Sequence, residues 1–179
     1  MKFRAAVMST ALLLALPAQA TTVVVNPATG RSGTFEWTNG LGQIDQIDGI
    51  TDTNNMFFGV NANAGDTISA FLQDCCIAGD QFALFLNGVQ LVPTATSTPG
   101  GNFNYSFQNI ALAQGSNLFN VQVTALAAGF TSGGASYQFS AVTPGVPEPA
   151  TWAMMLLGFG AIGAGMRHRR KPSVSVRFA

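Results

Sequence analysis

The sequence predicts an all-β protein: an antiparallel, jelly-roll-like β-sandwich, flanked by an N-terminal signal-peptide helix and a C-terminal transmembrane helix. Three observations predict it. Between residues 21 and 143, short apolar or alternating runs are broken by Gly, Asn, Asp, Pro and Thr clusters, the pattern of many short strands. No window of that stretch carries a sustained helical period. Both ends of the chain are apolar runs with basic flanks, which is targeting sequence rather than domain.

The N-terminal segment has three parts. Lys2 and Arg4 form a basic head, Ala5 to Leu16 is an apolar run too short to span a bilayer comfortably, and Ala18-Gln19-Ala20 after Pro17 is a small-x-small cleavage site. This is the layout of a secretory signal peptide over residues 1–20, with Thr21 as the mature N-terminus.

The strands are expected in order. "TVVV", "TFEWT", "MFFGV" and "TISAFLQ" come first. "FALFL-NG-VQLV" follows as a hairpin, because Asn87-Gly88 supplies the positive φ angles of a two-residue turn. "NFNYSFQNI" puts Phe103, Tyr105 and Phe107 on one face, "NVQVTA" does the same with Val121 and Val123, and "SYQFSAV" with Tyr137 and Phe139.

Charge divides the chain. The formal net charge is zero, yet residues 21–143 hold seven carboxylates (Glu36, Asp45, Asp48, Asp52, Asp66, Asp74, Asp80) against one base, Arg31, a net of −6. Such a domain has almost nothing with which to neutralise phosphates, which argues against nucleic acid and anionic lipid as its partners. Its chemistry is also limited. His168, the one histidine, lies in the C-terminal tail, so Ser-His-Asp, Cys-His and zinc-histidine mechanisms are excluded for the exported part. Hydrolysis of glycans by two carboxylates survives, and it needs a pair about 5–9.5 Å apart across a cleft.

Three groups are candidate sites in the middle region. Cys75 and Cys76 are adjacent, and in an exported domain they are candidate partners of a vicinal disulfide; two free thiols, or bonds to another chain, are the alternatives. Asp74 and Asp80 bracket them as candidate calcium ligands, with turn-building through side-chain to backbone bonds as the alternative; Asp45, Asp48 and Asp52 make a second acidic cluster with Asn54. No other cofactor is expected. Trp37, Tyr105 and Tyr137 are candidates for stacking on sugar rings. Phe35 and Trp37 share a face of their strand, which favours burial.

The C-terminal segment is the most specific. "VPEPATW" at Val146–Trp152 joins a proline spacer, residues 144–151, to the uncharged run Trp152 to Met166. At 1.5 Å per residue those positions cover about 22 Å, short of a ~30 Å hydrocarbon core, but Trp152 suits the interface and Arg167, Arg169, Arg170 and Lys171 can snorkel to headgroups. The basic cluster predicts that residues 167–179 stay cytoplasmic, with 152–166 as the transmembrane helix. "GFGAIG" within that run fits G-x-G-x-x-G only by accident, since a dinucleotide site needs it between strand and helix.

This order of Val146-Pro147-Glu148-Pro149-Ala150-Thr151-Trp152, short apolar helix, Arg/His-rich residues and closing "VRFA" resembles a PEP-CTERM sorting signal, in the variant with tryptophan just after the motif. The acidic domain with "DCCIAGDQFALFLNG" is similar to exported β-sandwich proteins of that group. The resemblance implies export, anchoring in the inner membrane, and recognition by an exosortase-type membrane protease. It implies cleavage near Pro147, Glu148 and Pro149, with Trp152 part of the motif, and release to the cell surface. It also implies a host that makes exopolysaccharide, a second expected partner. The expectation is a non-enzymatic surface or matrix protein, structural or glycan-binding. The alternatives are a carboxylate-dependent glycan hydrolase and a self-assembling adhesin bridged through Cys75 or Cys76.

Overall fold

The computed structural model describes residues 20–52, 56–145 and 149–168 of the 179-residue chain. The expected signal peptide, apart from Ala20, lies outside the described residues, as does Asn54. Thirteen strands follow in order: β1 (Thr21–Val24), β2 (Arg31–Trp37), β3 (Gly42–Gln43), β4 (Gln46–Ile47), β5 (Ile50–Thr51), β6 (Met56–Ala62), β7 (Thr67–Asp74), β8 (Gln81–Leu86), β9 (Val89–Gln90), β10 (Ala95–Ser97), β11 (Asn104–Ala111), β12 (Gly115–Ala125) and β13 (Gly133–Phe139). One helix, α1 (Pro149–His168), closes the described chain.

The strands form two sheets. One has the order β1-β6-β12-β8-β9, with β3 also paired to β12; the other has β10-β11-β7-β13-β2-β4-β5. All pairs are antiparallel except β1 with β6, where Thr21 stands opposite Met56 in a parallel register. The antiparallel β-sandwich expected from the sequence is present. From β6 onward the longer strands β6, β7, β8, β11, β12 and β13 alternate between the two sheets at every step, while the short β9 and β10 pair within the sheets of β8 and β11.

The alternating side chains explain the packing. Phe35, Trp37, Tyr137 and Phe139 point inward from one sheet, and Phe58, Phe82 and Phe119 from the other, all buried. Rings meet across the gap: Phe35 and Phe82 have centroids 5.2 Å apart, edge to face at 85°, and Phe58 and Tyr137 lie 4.5 Å apart. Each such side chain contributes about 1.5–3 kcal/mol by burial, so this aromatic seam is a substantial part of what holds the two sheets together.

The expected transmembrane helix over 152–166 is corrected. α1 begins earlier, at Pro149, and among the described residues no helix is long and apolar enough to cross a membrane. The reason is composition: Gly158, Gly160, Gly163 and Gly165 add length without hydropathy, and Arg167 and His168 close the helix with charge and polarity.

Candidate functional site

A shallow concavity lies on the outer face of the seven-stranded sheet. In β7, Ile68, Ala70 and Leu72 point into the core, so Ser69 and Phe71 point out. Phe71 stands opposite Ser106 of β11 and Gln138 of β13. The β11 ladder then slips between Phe107 and Ile110, so that Gln108 and Asn109 together oppose Ser69, and Asn109 adopts φ 54° to make the bulge. The bulge opens a shallow groove of about 220 Å³ lined by Ser69, Phe71, Ser106, Gln108, Gln138 and Ser140.

This groove carries no charge. Two of its hydroxyls are committed to the fold: Ser69 N–H donates to Ser140 Oγ at 3.0 Å, and Asn109 N–H donates to Ser69 Oγ at 3.4 Å. Ser106, Gln108 and Gln138 make no side-chain hydrogen bond to the described residues. A half-buried ring flanked by free amides and a hydroxyl offers an apolar face and neutral donors and acceptors side by side.

The aromatic residues singled out in the sequence are not at this surface. Trp37 is 1% exposed, Tyr105 9% and Tyr137 2%, so none of the three stacks on an external ring. Trp37 packs against Phe82, and its Nε1 is buried with no hydrogen-bond partner. Phe71 was missed, although the alternation Ile68, Ala70, Leu72 was signal enough to turn it outward.

The cysteine loop follows β7. Asp74 and Asp80 are both buried. Asp74 Oδ2 accepts from Gly79 N–H at 3.1 Å, and Asp80 Oδ1 accepts from Ala127 N–H at 2.7 Å. Both are the side-chain to backbone bonds by which an aspartate builds a turn. Asp74 Oδ1 is buried without a partner, and burial, with the nearby Asp80 charge, pushes its carboxyl up towards the neutral acid. Among the described residues no group of three or more His, Cys, Asp or Glu is placed to hold a metal ion. Cys75 and Cys76 are thiols here. Cys75 is half-buried and donates to the Gly134 carbonyl at 3.1 Å; burial, with Cys76 and the two aspartates beside it, pushes it up to about 12. Cys76 is exposed, at φ 76°.

Four of the other carboxylates are engaged separately. Asp48 binds Arg31 and Tyr137, Asp45 accepts from Thr38 N–H at 2.9 Å, Asp52 meets Thr21, and Asp66 accepts from Asn63 and Gly145. No acid lines the groove.

In the C-terminal segment, Pro149 opens α1, Trp152 is exposed at 51%, and Arg167 is exposed. Pro147, Glu148, Arg169, Arg170 and Lys171 lie outside the described residues. No curated protein and no solved structure matches the chain. Residues 145–171 match the PEP-CTERM protein-sorting motif. The motif supports an exported protein, anchored at the membrane before processing, with an exosortase as processing partner. The chain thus carries a PEP-CTERM sorting signal behind a β-rich domain.

Proposed function

We propose that this chain is a non-enzymatic surface or matrix protein, delivered by its C-terminal signal, whose β-sandwich binds neutral glycans of an exopolysaccharide layer through the groove around Phe71. The observation that carries the reading is an uncharged groove with one outward ring on a domain of net negative charge. Sugars present C–H faces to a ring and hydroxyls to amides, and a neutral polymer meets no repulsion from the domain, whereas a uronate polymer does. The groove is smaller than the roughly 300–1,000 Å³ of enclosing ligand pockets, which suits one or two rings held weakly and repeatedly along a polymer. Absence of carboxylates from the groove weighs against the hydrolase alternative. The exposed Cys76 thiol keeps open a second role, cross-linking between copies.

Affinity electrophoresis of the domain in gels containing a neutral glucan, a mannan or a polyuronate tests this. Retardation by a neutral polymer, lost in Phe71→Ala, is expected. Equal mobility in all gels leaves only the structural role in the layer.

A further inference from the structure

Gly145, the last described residue before Val146-Pro147-Glu148, is fastened to the sandwich. Gly145 N–H donates to Asp66 Oδ1 at 2.9 Å, while Asp66 Oδ2 accepts from Asn63 N–H at 2.8 Å. Asp66 is 5% exposed, and its own carbonyl accepts from Leu112 N–H at 2.9 Å. Two residues earlier, Thr143 and Thr67 exchange backbone hydrogen bonds of 2.9 and 2.8 Å. Gly145 also rests directly on Gly65: a Cβ there would come within 2.5 Å of the Gly65 carbonyl carbon and oxygen. Gly65 itself needs glycine, at φ 85°. The sorting match begins at the same residue, 145.

From this coincidence we propose that Asp66 is a positioning residue for processing: by holding Gly145 against Gly65, it sets the N-terminal limit of the segment a protease can take. The proposal rests on residues 145–171 acting as a sorting signal. Proteases take their substrates as extended chain with free backbone groups. A residue whose N–H is held by a buried carboxylate has to be released first, and Thr143 has to be unpaired before any residue ahead of it is reached. The N–H groups of Asn63 and Gly145 hold the Asp66 carboxyl below its ordinary range, so it stays an anion and a strong acceptor at neutral pH. Only Val146, Pro147 and Glu148 separate the clamp from α1, so that Gly145 and Pro149 are four residue steps and at most about 14 Å apart. The clamp therefore fixes how close the sandwich stands to the processing enzyme, and it leaves the released domain with almost no ragged end.

The test uses the full chain, wild type and as Asp66→Ala and Gly145→Ala, treated with proteinase K as a non-specific probe and read by the mass of the domain fragment. Gly145→Ala leaves the Asp66 bond to Asn63 untouched, and thermal melting of each variant confirms that the sandwich is folded. The wild-type fragment is expected to end at or after Gly145. In both variants, cutting between 141 and 145 is expected to accelerate by about tenfold or more, the factor that goes with one lost charge-assisted hydrogen bond. Identical fragment ends and rates in folded wild type and variants would overturn the clamp. A second arm reads the same proteins from the host's surface fraction. Wild type ending after Gly145, and variants ending earlier or in a mixture, supports the role in processing. Uncut wild type in the host, with a working clamp against proteinase K, would overturn the sorting reading and the processing role with it, but not the clamp.

Discussion

Asp48 Oδ2 and Arg31 Nη2 lie 2.6 Å apart and join the one exported base to the sandwich. Tyr137 completes the group: its hydroxyl donates to Asp48 Oδ2 at 2.6 Å and accepts from Arg31 Nε at 2.9 Å, while Thr34 N–H donates to Asp48 Oδ1 at 3.0 Å. Asp48 sits at φ 51°, and Gly33 has no Cβ because one would occupy the Asp48 carboxylate's place. The group is a structural knot that fixes the edge strands β4 and β5 against β2.

The knot predicts a pH dependence. Burial alone would raise the Asp48 carboxyl, but the bonds from Tyr137, Arg31 and Thr34 outweigh it and hold the group below its ordinary value. A depressed carboxylate stabilises the fold above its unfolded pKa of about 3.9, and that contribution is lost as pH falls through the folded value. Burial first, then the Asp48 bond, push Tyr137 up to about 12, so its contribution is complete below about 10 and is lost as pH rises towards 12. Asp48→Asn should flatten the acid limb of a melting-temperature profile and cost about 1–2 kcal/mol at pH 7. An unchanged acid limb would contradict the knot.

Phe71→Ala is expected to abolish retardation by a neutral glucan or mannan, at least about tenfold in affinity, and to lower stability by less than about 1.5 kcal/mol, since the ring is half-buried on the outer face. Trp37→Ala should do the reverse: about 3–5 kcal/mol of stability lost from a cavity beside Phe82, seen in chemical denaturation.

The N-terminus has its own test. Thr21 N lies 3.1 Å from Asp52 Oδ2, and Thr21 Oγ1 2.6 Å from the same atom. In a chain that begins at Thr21, this nitrogen is an ammonium, and the contact becomes an ion pair at the start of β1. Such a chain should melt about 4 °C above one that retains Gln19-Ala20, and Asp52→Asn should erase the difference. Equal melting of the two chains would show that the charge contributes nothing.

The thiols should differ. With its proton held by burial and by the neighbouring Cys76, Asp74 and Asp80, Cys75 resists alkylation at neutral pH, while the exposed Cys76 is open to it. One iodoacetamide adduct per folded, reduced chain, at Cys76, is expected. Rapid uptake of two would contradict the geometry.

Much of the sandwich was legible because it is built from local rules. Asn87 and Gly88 take φ 50° and 83°, as a two-residue hairpin turn demands, and Tyr105, Phe107, Tyr137 and Phe139 fall inward by alternation. What escaped depends on partners distant in sequence. β12 starts at Gly115, well before its apolar stretch, because the buried Asn117 side chain closes the preceding turn on Ala113 and Gly115. The two-residue strands β3, β4 and β5 have no periodicity of their own and exist by pairing. The groove was half legible: its serines and glutamines read as a polar face, but the bulge at Gln108 and Asn109 arises from a register slip against β7 that no local pattern encodes. The helix was read as membrane-spanning from its flanks, although its fifteen uncharged positions cover only about 22 Å, and among the described residues no helix is long and apolar enough to cross a membrane.

The most direct measurement is the intact mass and C-terminal peptide of the protein from the host's surface fraction. The account predicts a chain that starts at Thr21, includes Gly145 and ends near Pro147, Glu148 and Pro149. A surface protein that still carries α1 and the closing Val-Arg-Phe-Ala would contradict it.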